Sequence, residues 1–145
     1  MTTQTAPDPA AAVEIPAEDK AAVAALPGRI VAAWAAHDAD AFAEVFTPDG
    51  TMILPGFFEQ GRDAIRTFMA NAFAGPFKGT RVTGTPVDIR FADAESGILI
   101  TRGGILAPGE TEPSPERAVH ASWVVVKRGG QWLLAAYQNS PRDTA

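Results

Sequence analysis

Phe46-Thr47-Pro48-Asp49-Gly50-Thr51-Met52-Ile53-Leu54-Pro55-Gly56, followed by Gly61-Arg62-Asp63-Ala64-Ile65-Arg66 and then Phe68, Ala70 and Asn71, is the stretch that decides the fold. It reads as a helix ending in a Pro-Asp-Gly turn, a short apolar strand, and a glycine that starts an amphipathic helix. Thr51 to Leu54 carries the strand, and Pro55-Gly56 stops it. Phe57-Phe58-Glu59 adds a very short second one. From Arg62 to Phe73, the residues Ile65, Phe68, Met69, Ala72 and Phe73 recur at helical spacing, so one face is apolar. Gly75-Pro76 ends that helix.

Working outward, Met1 to Ala17 is rich in Thr, Ala and Pro and has almost no large apolar side chain. It cannot bury enough surface to offset ordering, so residues 1–17 are expected to be a flexible tail. Residues 18–140 are expected to form one domain, and 141–145 a C-terminal tail. Glu18-Asp19 opens a helical pattern whose apolar members are Val23, Leu26, Ile30 and Trp34. Pro27 should kink this helix or split it near Leu26. Asp38 is a good N-cap for a short helix that points Phe42, Val45 and Phe46 inward.

Beyond Thr80 the chain reads as strand. Thr80 to Phe91 contains Pro86, which predicts an edge strand or a bulge. Gly97 to Leu106 follows a polar turn. Glu116 to Lys127 follows an acidic, Pro-rich loop. Arg128-Gly129-Gly130-Gln131 is a hairpin turn into Trp132 to Ser140. Helices first and a sheet afterwards predict an α+β domain, with three N-terminal helices packed on one face of a curved antiparallel sheet.

The chain has 145 residues, 46% of them hydrophobic and 20% charged, which suits one globular domain with a core. The net charge is -5, and no basic stripe offers a platform for nucleic acid. There is no cysteine and there are two histidines, so thiolate chemistry is excluded and no metal is expected. No glycine-rich phosphate loop is present, so no nucleotide cofactor is expected either. No apolar run is long enough for a membrane span, and the N-terminus lacks the order of a signal peptide; a cytoplasmic location is expected.

The element order, the Phe46–Asn71 stretch and the Gly129-Gly130-Gln131-Trp132 hairpin resemble the NTF2-like (SnoaL-like) α+β cone over roughly Glu18 to Ser140. The resemblance implies a pocket between helices and sheet, in a superfamily of isomerases, cyclases, hydrolases and non-catalytic binding domains. Ala32-Ala33-Trp34 and the closing Ala135-Ala136-Tyr137-Gln138-Asn139-Ser140 resemble the SgcJ/EcaC-type branch, some of whose members sit in enediyne biosynthesis. Compared with the ketosteroid isomerases, the base position falls on Leu54, the tyrosine position on Ile30 and the second acid on Ser122. All three functional groups are missing, so an isomerase of that design is not expected.

The same comparison places His120 and Ser122 on the concave face of their strand, and Leu133, Ala135, Tyr137 and Asn139 on that of the last strand. Arg102 joins them if its own strand keeps that parity. His120 is then either a general acid/base, with Tyr137 or Asn139 orienting it or the substrate, or a neutral structural histidine. Asn139 either anchors a ligand carbonyl or ties down the C-terminal segment. Tyr137 suits an amphipathic ligand and equally a core position. Trp34, Phe46, Leu54, Phe57, Phe68 and Met69 are candidates for the apolar wall of the pocket.

Two functions follow as expectations. One is a cofactor-independent accessory protein of polyketide or enediyne biosynthesis, which binds a hydrophobic polyunsaturated intermediate and assists its cyclisation, isomerisation or modification. The other is a non-catalytic binding or carrier module that docks to a partner enzyme. On this parity Val119, Trp123, Val125, Trp132 and Leu134 form an apolar convex face, and a homodimer through it is expected.

Overall fold

The computed structural model describes residues 14–142. The tail expected over residues 1–17 therefore lies mostly outside the described residues, and Ala17 already begins the first helix. Of the C-terminal tail, residues 143–145 also lie outside them. Helix α1 spans Ala17–Ala24 and α2 spans Leu26–Ala35. The break falls at Ala25 because Pro27 sits in the first turn of α2, where its missing N–H is no loss. Helix α3, Ala39–Glu44, is capped by the Asp38 carboxylate, which accepts from the Ala41 amide at 3.0 Å. Helix α4, Arg62–Ala74, buries Ile65, Met69, Ala72 and Phe73, the face its periodicity predicts.

Six strands form one curved, unclosed sheet. They are β1 (Phe46–Leu54), β2 (Phe57–Gln60), β3 (Arg81–Asp93), β4 (Ser96–Leu106), β5 (Ala118–Arg128) and β6 (Gln131–Pro141), in the order β2-β1-β6-β5-β4-β3. The fold is the α+β cone with helices on the concave face, and its strand pairs are antiparallel except β1 with β6, which run parallel. Pro86 lies on β3, which is both an edge strand and irregular between Pro86 and Asp88. Gly129 and Gly130 have φ of 57° and 79°, the pair of positive values that a two-residue hairpin turn requires.

Three details depart from the sequence reading. Pro48-Asp49-Gly50 does not end a helix in a turn. It lies inside β1 as a register shift between Phe46, paired with Leu134, and Thr51, paired with Ala136. In β6, Val124 pairs with Ala136 and Val125 with Leu134, which leaves Ala135 as an extra residue. This bulge puts Trp132 and Leu134 on the same inner side as Tyr137 and Asn139, so Leu133 and Ala135 are not concave.

The third departure is the parity of β5. Ala121, Trp123 and Val125 are buried, while His120, Ser122 and Val124 are exposed on the convex face. One residue of slip moves a whole set of side chains across a sheet. The five residues assigned above to a convex dimer face therefore point the other way. Trp123, Val125, Trp132 and Leu134 belong to the core of a single chain, and Val119 lines its cavity.

Helix α1 is fastened to the β5–β6 hairpin by Asp19. Its carboxylate accepts from Trp132 Nε1 at 3.1 Å and pairs with Lys127 Nζ at 3.2 Å. The tryptophan N–H, with the lysine assisting, holds the Asp19 pKa below the ordinary carboxylate value against the opposing effect of burial. A depressed carboxylate pKa gives stability that is full above the unfolded value and is lost as pH falls through the folded one. Asp19→Asn is therefore expected to melt at a lower temperature than wild type near pH 6. The gap should narrow as pH falls below about 4, as thermal denaturation followed by circular dichroism will show.

Candidate functional site

A cavity of about 300 Å³ lies between the helices and the concave sheet face. Pro27, Ile30, Val31 and Trp34 of α2 form one wall. Phe42, Phe46, Met52 and Leu54 close the side toward β1, and Thr101, Gly103, Val119, Trp123, Tyr137 and Asn139 rise from the sheet. Pro55, Phe57 and Glu116 are the exposed members of the lining and mark its open end. The size is at the lower end for small-molecule sites, and the lining is mostly apolar with a few polar points, as such sites usually are.

Gly103 and Gly104 shape the sheet side. A Cβ at Gly103 would overlap the Thr83 carbonyl oxygen of β3, and one at Gly104, where φ is 152°, would overlap the Arg117 carbonyl oxygen. Neighbouring backbone thus approaches where a side chain would otherwise stand.

Several polar groups in the wall are already paired. Trp34 Nε1 donates to Thr80 Oγ1 at 2.9 Å, and Trp123 Nε1 donates to Thr101 Oγ1 at 2.9 Å. Trp123 also packs edge-on against Tyr137 with ring centroids 5.2 Å apart. Asn139 Nδ2 donates to the Tyr137 hydroxyl oxygen at 3.1 Å. Asn139 Oδ1 is buried and has no hydrogen-bond partner.

Burial raises the Tyr137 pKa, and the donation from Asn139 opposes this only in part. At neutral pH Tyr137 is therefore a neutral phenol, a hydrogen-bond donor and not a base. Glu116 and Arg117 are the other ionisable residues of the lining. Arg117 is held by Glu110 at 2.8 Å and by the Ile105 carbonyl at 3.3 Å. No group of three or more His, Cys, Asp or Glu side chains among the described residues is placed to hold a metal ion.

Of the residues singled out from the sequence, Trp34, Phe46, Leu54, Phe57, Tyr137 and Asn139 meet in this cavity. Phe68 and Met69 do not line it. Phe68 supports Phe57 from behind, with ring centroids 5.0 Å apart, and Met69 is wholly buried in the core. His120, Ser122 and Arg102 are exposed on the far side of the sheet, where Arg102 and His120 are cross-strand partners. Strand alternation put them there, so the four-group convergence expected around His120 does not form. Thr101, Gly103, Val119 and Trp123 were missed. The apolar alternation Val119-Ala121-Trp123-Val125 and the paired glycines in β4 were the signals that could have found them.

Comparison with known proteins fits this geometry. The family model of the SnoaL-like domain matches residues 16–138. A domain of unknown function with a cystatin-like fold from Nostoc punctiforme superposes with a TM-score of 0.82 at 27% identity, over 89% of this chain and 80% of that one. An NTF2-like protein from Novosphingobium aromaticivorans superposes at 0.76 with 18% identity, over 88% of this chain and 84% of its own. Another protein of that organism, named as a candidate aromatic ring hydroxylase, superposes at 0.70 with 20% identity, over 90% and 94% of the two chains. No curated protein matches. No helix among the described residues is long and apolar enough to cross a membrane.

Proposed function

The chain belongs to the SnoaL-like domain family, and from that premise we propose that it takes a hydrophobic, carbonyl-bearing small molecule into the concave cavity. In this reading it is a cofactor-independent accessory protein of polyketide-type natural-product biosynthesis, and it assists cyclisation or isomerisation of a polyunsaturated intermediate. The observation that carries the reading is Tyr137. Its oxygen is engaged by Asn139 and burial keeps it protonated, so its O–H is the group left to offer in an apolar site. A donor placed where charge develops on a carbonyl oxygen lowers the barrier to enol-type chemistry. The resemblance to the SgcJ/EcaC-type branch supports an enediyne setting, because the closing motif that carries it contains both Tyr137 and Asn139.

The carrier reading keeps support from one feature. The isomerase-type positions Ile30 and Leu54 line the cavity with apolar side chains, and the inward neighbours of Ser122 are Ala121 and Trp123. No carboxylate or histidine among the described lining residues stands inside the cavity, since Glu116 is at its mouth. Proton abstraction would then fall to the ligand itself or to water.

Titration with 1-tetralone, followed through the wall tryptophans Trp34 and Trp123, tests the site. Wild type is expected to show saturable quenching, and Val119→Trp, which fills the cavity, is expected to abolish it. Equal quenching in both proteins would place binding elsewhere.

A further inference from the structure

We propose that the site selects neutral ligands presenting a hydrogen-bond donor directly beside an acceptor, the edge of a cyclic hydroxy-ketone or a lactam, to the Tyr137–Asn139 pair. This rests on the reading of the cavity as a ligand site and adds to it a requirement on the ligand.

The lone pairs and protons of the Tyr137–Asn139 pair are only partly used within the protein. Asn139 spends one Nδ2–H on the Tyr137 hydroxyl oxygen, 3.1 Å away. The Tyr137 proton is left to donate. Asn139 Oδ1, buried and without a partner, is left to accept. A buried acceptor of this kind is costly unless something pairs with it, and Asn139 is one of the residues that line the cavity. The pair thus offers donors, the Tyr137 O–H and the second Nδ2–H, beside the Oδ1 acceptor. A simple ketone answers only half of it.

The ligand is neutral because Tyr137 and Asn139 carry no charge and the surrounding walls are apolar. Arg117, the cation of the lining, is already held by the Glu110 carboxylate. A cavity of about 300 Å³ suits a body of two or three fused rings.

Four bicyclic probes of similar size separate the terms in wild-type protein. Naphthalene offers neither group, 1-tetralone an acceptor, and 2-hydroxy-1-tetralone and 2-quinolone both. At least one of the last two is expected to bind about tenfold tighter than 1-tetralone, the worth of one added hydrogen bond between uncharged partners. Whichever gains more identifies the hydroxy-ketone or the lactam edge as the better match. Asn139→Leu should erase that gain, so that the hydroxy-ketone or lactam binds this variant no tighter than 1-tetralone binds the same variant, and Asn139→Ala serves if the leucine variant does not fold. Equal affinity for all four probes would overturn this inference and leave the apolar site standing. Failure of every probe to bind, naphthalene included, would overturn both.

Discussion

Trp123→Ala is expected to destabilise the protein by about 3–5 kcal/mol, the range for removing a buried tryptophan. The side chain is 3% exposed, packs on Tyr137, and gives its N–H to Thr101. Truncation would open a void beside the ligand cavity and leave the buried Thr101 hydroxyl without its donor. Trp123→Glu should be worse, since it adds an unpaired charge to the core. Chemical denaturation of the two variants against wild type gives the size. The same experiment decides strand parity, because a tryptophan on the convex face could be replaced at little cost and with a change in association instead.

Tyr137→Phe is expected to weaken binding of 1-tetralone by roughly 5- to 100-fold while leaving naphthalene nearly unchanged, the effect of losing one donor in a desolvated site. Any turnover should fall with it. The fold should persist, because the ring and its contact with Trp123 remain. Calorimetric titration of both ligands with both proteins provides the comparison. If turnover on a natural substrate survives the substitution while affinity drops, Tyr137 holds the ligand without acting in catalysis.

Much of the fold was legible because local chemistry specifies it. Asp38 caps a helix, Pro27 splits another, and Gly129-Gly130 permits the turn into β6. Half of the site was legible for the same reason: Trp34, Phe46 and Leu54 are apolar at positions that face inward, and Tyr137 and Asn139 share a strand face. The rest depends on pairing between distant strands. Nothing local in Leu133-Leu134-Ala135-Ala136 says which residue is the extra one, because all four are apolar and any of them could be accommodated. Only pairing with Val124 and Val125 places the bulge at Ala135. The parity of β5 was available in its own composition, since Val119, Ala121, Trp123 and Val125 form the more apolar set. The family resemblance points the other way for His120 and Ser122, and the burial of Ala121, Trp123 and Val125 decides against it. Parallel pairing of β1 with β6 brings together the first and last strands of the sheet in chain order, which short-range pattern does not encode.

In the proposed function a ligand carbonyl meets the Tyr137 hydroxyl inside the concave cavity. The most direct measurement is the carbonyl ¹³C resonance of labelled 1-tetralone bound to wild type and to Tyr137→Phe. The wild-type resonance is expected well downfield of its position in cyclohexane, returning toward that position in the variant. A bound resonance identical in the two proteins would contradict it.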